Sequence, residues 1–223
     1  MIAKTISLAQ SKYVMLCDND DFLFPNGFKK VIDFLEAHDE YISVGGEILN
    51  FKINNLADTP YGDGVIFLEP YQYFRSDDPH HDWEHQIEGM FRDFQPYWYN
   101  VYRKESLQII ADELCELDLS DLVAMEFYAQ LRTVTLGRSK QIDGESYYLR
   151  QRGTSQINAD IYFFEDLIDR NLPHDIQLIS KKIASTIQGS SNIVTVIKSN
   201  YAKYLTKLLA HTLLRYRFPK LFL

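Results

Sequence analysis

Residues 12–35 read KYVMLCDNDDFLFPNGFKKVIDFL, and this stretch joins an apolar run, a group of acids and a helix pattern. The apolar run over 12–18 predicts a buried strand whose carboxyl end opens into a site. Pro25 then favours a helix start, with Asn26 as the expected N-cap. The apolar residues that follow lie at the i, i+3, i+4, i+7 spacing of an amphipathic helix. They are Phe28, Val31, Ile32 and Leu35. Strand, turn and helix in this order indicate an α/β chain.

The remainder of the sequence continues the α/β pattern and then becomes helical. We expect a strand pair over 41–53 with a bend at Gly45 and Gly46, a short strand over 64–68 and an irregular, partly helical insert over 70–95. Further predicted elements are a strand over 97–102, a helix over 119–137 and a strand over 145–149. Beyond residue 158 only helical segments are expected. The sequence therefore predicts an α/β body over 1–159 and a helical extension over 160–223.

The net charge of −8 is unevenly distributed along the chain. All 31 acidic residues lie at or before Asp175, whereas the 8 basic residues after it face no acid. The other 15 basic residues lie among the acids, so residues 1–175 carry a net charge near −16. This negative net charge argues against general nucleic-acid binding, because phosphate contacts need clustered Lys and Arg. The segment after Asp175 carries a net charge near +8 and could instead favour binding to an anionic surface.

Two features bear on location. Cys17 and Cys115 form no CxxC pair, and no stretch reaches the roughly 18 apolar residues of a membrane span. We expect a cytoplasmic protein with reduced thiols. The last helix has a basic polar side around Lys203 and Lys207, which leaves two alternatives open. Either the helix packs on the body with solvated lysines, or it makes a peripheral contact at the inner membrane face.

The segment Asp18, Asn19, Asp20, Asp21 carries the strongest chemical signal. Three carboxylates in four residues repel one another, so solvent, hydrogen-bond donors or a cation must offset the charge. Mg²⁺ or Mn²⁺ is held in this way by one or two carboxylates and completes its shell with water and ligand phosphates. The cluster is therefore a candidate diphosphate site. An acidic turn that caps the following helix is the structural alternative.

Residues 13–35 resemble the strand, DxD motif and following helix of GT-A glycosyltransferases of the family 2 type. The resemblance continues, more loosely, to residue 156, through the blocks YNVYRK (99–104), SDL (120–122) and YYLRQRG (147–153). It implies a partial GT-A, Rossmann-like mixed sheet flanked by helices. The implied activity is metal-dependent, inverting transfer of a sugar from a nucleotide-sugar donor to a hydroxyl acceptor. Surface polysaccharide or glycan biosynthesis is the implied setting.

The same resemblance implies roles for four charged residues. Asp18 resembles the acid that faces the donor ribose or the metal, and Asp20 resembles the carboxylate that binds the metal, Mn²⁺ or Mg²⁺. Arg150 and Arg152 resemble the basic loop that covers the leaving diphosphate, a task suited to the guanidinium fork. An exposed loop with two arginines is the ordinary alternative for the last pair.

For the general base the resemblance implies Asp121, which would take the proton from the acceptor hydroxyl. The family usually has Glu-Asp at this position, whereas this chain has Ser120 followed by Asp121. Asp118 lies one helical turn earlier and is the second candidate. Either acid could instead cap the following helix.

Glycosyltransferases of this type ordinarily place about a hundred residues that grip the nucleobase ahead of the DxD strand. Here the motif begins at Asp18, so we expect a fragment, or a short form that needs a partner. Three other hypotheses are weaker. The segment HHDWEH (80–85) lacks the zincin order, and phosphoryl transfer of the haloacid dehalogenase type would require Thr where Phe22 stands. A non-catalytic domain that binds a glycan or a partner stays open as the alternative.

Overall fold

The computed structural model describes residues 2–18, 21–54, 64–67, 83–92, 97–119, 122–151, 172–187 and 192–217. Its elements are, in chain order, α1 (Ile2–Leu8), β1 (Tyr13–Val14), β2 (Phe22–Leu23), α2 (Pro25–Ala37), β3 (Tyr41–Asn54), β4 (Gly64–Phe67), α3 (Trp83–Arg92), a 3₁₀ turn (Tyr97–Tyr99), β5 (Val101–Arg103), α4 (Lys104–Glu116), α5 (Leu122–Leu136), β6 (Arg138–Gln151), α6 (Leu172–Thr186) and α7 (Ile193–Arg217).

The described strands form one mixed sheet in the order β1-β5-β3-β6-β2, and β4 also pairs with β3. Strands β3 and β6 run parallel, whereas the other pairs are antiparallel. The long β3–β6 ladder forms the centre, and the two-residue strands β1 and β2 lie at opposite edges. The predicted α/β class, a mixed sheet flanked by helices, is confirmed.

The start of the chain differs from the prediction in two details. Only Tyr13 and Val14 of the predicted strand over 12–18 join the sheet, where they pair with β5; the next strand, β2, pairs with β6 at the opposite edge. Asn26 is not the N-cap of α2. The helix begins at Pro25, its N-cap is Phe24, and none of the described side chains caps it. Pro25 sets the start because its fixed φ suits the first helical position and it has no N–H to satisfy.

The centre of the sheet also differs from the prediction. Residues 41–54 form one strand and no hairpin, with register shifts next to Gly45 and Glu47 that match the predicted bend. The predicted strand over 97–102 begins with a 3₁₀ turn, in which the Asn100 N–H donates to the Tyr97 carbonyl at 2.9 Å. The sequence pattern over 97–102 is similar to that of a strand, although its first three residues form this turn. The strand predicted over 145–149 is confirmed and belongs to the longer β6.

The C-terminal helices share a core with the body. Buried residues of α6 and α7 pack with buried residues of α3 and α5, among them Phe91 and Phe127. The aromatic ring of Tyr201 lies edge-on to Phe127 with centroids 5.7 Å apart. Lys203 and Lys207 are exposed on α7, as the helix pattern predicted. The boundary near residue 159 and the contact with an anionic membrane surface stay predictions.

None of the helices in the described ranges is both long enough and apolar enough to cross a membrane.

Arg103 and Lys104, at the end of β5 and the start of α4, bind backbone carbonyls at the C-terminal ends of two helices. The Arg103 guanidinium donates to the carbonyls of Leu35 at 2.7 Å and His38 at 3.0 Å, at the C-terminus of α2. The Lys104 ammonium donates to the Ala9 carbonyl just after α1. Cations at helix C-termini satisfy free carbonyls and the negative end of the dipole. This pair therefore fixes both helices around the acidic motif.

Gly27 allows α2 to lie directly on β6. A Cβ at this position would lie 2.1 Å from the Ser146 carbonyl oxygen. We expect Gly27→Ala to cost about 2 kcal/mol of unfolding free energy, because backbone must move to relieve the clash. Urea denaturation measures this loss. Asn26→Ala is the matched control, since Asn26 is exposed on the same turn and is expected to be neutral. A loss of about 1 kcal/mol in the control would restore Asn26 as the cap.

Candidate functional site

The loop between β1 and β2 presents one carboxylate of the acidic motif to solvent. Asp18 is exposed, and the hydroxyl of Tyr99 donates to its Oδ2 at 2.8 Å. Tyr99 is buried in the 3₁₀ turn that precedes β5. The carboxylate is therefore oriented from beneath by a rigid residue while its outer side remains accessible.

A second tyrosine, in β6, holds both ends of the motif. The hydroxyl of Tyr148 donates to Asp21 Oδ2 at 2.7 Å and accepts the backbone N–H of Asp18 at 3.3 Å. The Asp21 N–H in turn donates to the Asp18 carbonyl at 3.3 Å. Tyr148 has no exposed surface, and its ring lies 4.9 Å from the ring of Tyr99. The two tyrosines thus form a buried support for the loop.

Tyr147 extends this support from the same core, with its ring 5.9 Å from the ring of Tyr148. Its hydroxyl donates to the Tyr99 carbonyl at 2.6 Å, and its own carbonyl accepts the N–H of Phe24 at the start of α2. Sequence reasoning assigned no role to Tyr147 or Tyr148, although the blocks it compared contain them, and it considered Tyr99 only for stacking on a sugar ring or for core packing. Regular strand alternation would set adjacent tyrosines on opposite sides of a sheet, whereas at the register shift beside them the two rings lie 5.9 Å apart. The alternation could not have predicted which loop each hydroxyl reaches.

The electrostatics keep the tyrosines neutral. Burial first, and then the hydrogen bond to the Asp21 carboxylate, raise the pKa of Tyr148 above its ordinary value. Burial likewise raises the pKa of Tyr147. Both hydroxyls therefore keep their protons and act as donors. The negative charge at the site remains on the carboxylates.

The donor set suits a hard divalent cation. Asp18 and Asp21 supply carboxylate oxygens, the ligand type that Mg²⁺ and Mn²⁺ prefer. Among the residues that the structure describes, no group of three His, Cys, Asp or Glu side chains is arranged to hold an ion. Asp20, the predicted metal ligand, lies outside those residues. The chemistry of the loop fits the predicted cation, and the assignment of Asp18 and Asp20 as ligands stays a prediction.

The other predicted residues are placed only in part. Asp118 is exposed in the link after α4, whereas Asp121, which directly precedes the first residue of α5, lies outside the described residues. The backbone of Arg150 belongs to β6; its side chain and the whole of Arg152 are not described. Leu149 pairs with Phe22, so one further step of this antiparallel ladder sets the backbone of Arg150 opposite Asp21.

Comparisons with known proteins gave structural likenesses only. No family model and no curated protein matches the sequence. The chain is similar to S. aureus TarS, with 13% identity and a TM-score of 0.44, covering 86% of this chain and 31% of that one. It is similar at 12% identity and a TM-score of 0.43 to TarS 1–349, alone and in complex with UDP, covering 85% of this chain and 52% of those.

The chain spans less than two thirds of the length of each of these TarS chains. With TM-scores below 0.5 and identities of 12 to 13%, the likeness carries no weight for activity.

Proposed function

We propose that this chain is the acceptor-side portion of a metal-dependent glycosyltransferase. It transfers a sugar, with inversion, from a nucleotide-sugar donor to a hydroxyl acceptor in surface polysaccharide or glycan biosynthesis. The observation that carries the proposal is the Asp18 carboxylate, which is exposed and yet held at 2.8 Å by the Tyr99 hydroxyl within an acidic motif. Among the described residues no side chain caps α2, so they give no support to the alternative of an acidic turn that serves only this helix.

The proposed roles follow the positions of the residues. Asp18 and Asp20 hold Mg²⁺ or Mn²⁺, whose charge, when bound, offsets that of the departing nucleoside diphosphate. Tyr99 and Tyr148 orient the loop that carries these acids. Arg150, at a backbone position next to Asp21, and Arg152 bind the diphosphate oxygens.

Overall charge explains why local cations are needed at this site. Residues 1–175 carry a net charge near −16, so their long-range electrostatic field repels an anionic nucleotide sugar. A divalent cation and two arginines at the end of β6 would reverse the sign of the field only where the diphosphate binds. Donor binding should therefore depend on added metal.

Calorimetry can test the proposed donor class directly. The chain is titrated with Mn²⁺ alone, and then with UDP, GDP and CDP, each with and without Mn²⁺. We expect Mn²⁺ uptake, and binding of one nucleoside diphosphate that requires the metal. Absence of Mn²⁺ uptake under every condition would contradict the proposal. Glycan binding that is equal with and without metal would favour the non-catalytic alternative.

The general base is tested by comparing two substitutions. We expect Asp121→Asn to lower the transfer rate by about 10² to 10⁴-fold, since this is the usual contribution of a positioned base. Mn²⁺ affinity should stay unchanged, because the residue is proposed to act on the acceptor. Asp118→Asn is the matched control and should retain activity. The reverse pattern would make the exposed Asp118 the base.

A further inference from the structure

We infer that Tyr148, together with Tyr99, is a positioning residue that sets the acidic loop in its cation-binding arrangement before the cation arrives. This inference rests on the proposed function, since it concerns the same loop. It adds two residues that neither the sequence motifs nor the comparisons assign.

A single hydroxyl connects the two ends of the four-residue motif. Tyr148 accepts the N–H of Asp18 at one end and donates to the carboxylate of Asp21 at the other. Its two bonds therefore span the whole of DNDD. If either bond were absent, like-charge repulsion among the three acids would favour a more open loop.

The position of the hydroxyl is restricted because its residue pairs with a neighbouring strand on each side. Tyr148 pairs with Ile48 of β3 on one side and with Leu23 of β2 on the other. The ring is fully buried and contacts the ring of Tyr99. A tyrosine that is buried and paired in this way restricts the positions of Asp18 and Asp21. Such preorganisation is typical of groups that orient metal ligands.

The chemical type of the support is as informative as its position. A lysine or arginine at either tyrosine position would also bind a carboxylate, but it would neutralise the charge that attracts a cation. Neutral hydroxyls orient Asp18 and Asp21 and leave their negative charge in place. This arrangement suits a loop whose task is to hold a divalent cation.

Mn²⁺ titration of tyrosine variants tests the inference. For Tyr148→Phe and for Tyr99→Phe we expect Mn²⁺ affinity to fall about 10 to 100-fold, the usual effect of removing a group that orients metal ligands. The matched control is Tyr102→Phe, which removes an equally buried hydroxyl whose partners are the Tyr97 carbonyl and Thr133. Its affinity should equal that of the unmodified chain. Circular dichroism establishes that each variant is folded.

Hydrogen exchange supplies a readout that needs no metal. In Tyr148→Phe the Asp18 amide loses its acceptor, so its exchange should accelerate by about tenfold, as expected for one lost hydrogen bond. The same amide should be unaffected in Tyr102→Phe.

The possible results separate the two proposals. If the unmodified chain binds Mn²⁺ and both loop variants bind it equally well, the positioning role is wrong and the proposed function stands. If the unmodified chain binds no Mn²⁺, both are wrong. Should Tyr148→Phe fail to fold, Tyr99→Phe decides, because its hydroxyl contacts Asp18 from a different element.

Discussion

Replacing Asp18 by asparagine is expected to weaken Mn²⁺ binding at least about 100-fold, because it removes one of the negative charges proposed to contact the cation. The fold should survive the change. The amide oxygen of asparagine can still accept the Tyr99 hydroxyl that now donates to Asp18 Oδ2. Without metal, the melting temperature should stay the same or rise slightly, since one source of repulsion in the acidic motif is lost.

Two measurements separate this effect from a general change in stability. Calorimetry gives the Mn²⁺ affinity, and thermal unfolding with and without Mn²⁺ gives the stabilisation by bound metal, which should disappear in the variant. Asp33→Asn is the matched control, since Asp33 lies on the exposed face of α2 in a surface pair with Lys29. If both variants bind Mn²⁺ as the unmodified chain does, Asp18 is not a ligand.

Replacing Glu113 by alanine is expected to cost about 3 to 5 kcal/mol of unfolding free energy, the usual effect of breaking a buried ion pair. Glu113 of α4 accepts two bonds from the buried Arg132 of α5, at 2.7 Å from Nε and 3.2 Å from Nη2. It also accepts the hydroxyl of Tyr128 at 2.7 Å. Alanine would leave a buried guanidinium and a buried phenol without this carboxylate.

The control for this prediction lies one turn away. Glu116 of α4 pairs with Lys182 of α6 at 2.7 Å, but its side chain is 67% exposed. Glu116→Ala should therefore cost less than about 1 kcal/mol, because water screens and replaces an exposed pair. Urea denaturation of both variants gives the two values. Equal losses would show that burial of the Arg132 pair contributes nothing.

Local sequence patterns correctly predicted the elements that have one buried side and one exposed side. Helix α2 is an example, since Val31 and Leu35 are buried at the spacing that the sequence showed. The patterns failed where a distant contact decided the backbone. Residues 97–99 form a turn whose Tyr99 carbonyl accepts the Tyr147 hydroxyl from 48 positions away. Residues 15–18 leave the sheet because the chain crosses to its opposite edge.

For the candidate site, the sequence identified the charges and the structure identified their support. The DNDD motif is conspicuous because like charges seldom crowd together without a reason. Tyr99 and Tyr148 are inconspicuous, because many tyrosines serve only as core residues.

The sequence by itself determined an α/β chain with a crowded acidic loop, because periodicity and charge are local properties. Only the tertiary structure decided how that loop is held. Asp18 meets Tyr99 across 81 positions of the chain, and Asp21 meets Tyr148 across 127. A hydrogen bond requires its two groups to approach within about 3 Å. Spacing along a sequence does not contain that distance, since it arises only when the strands of the sheet pair.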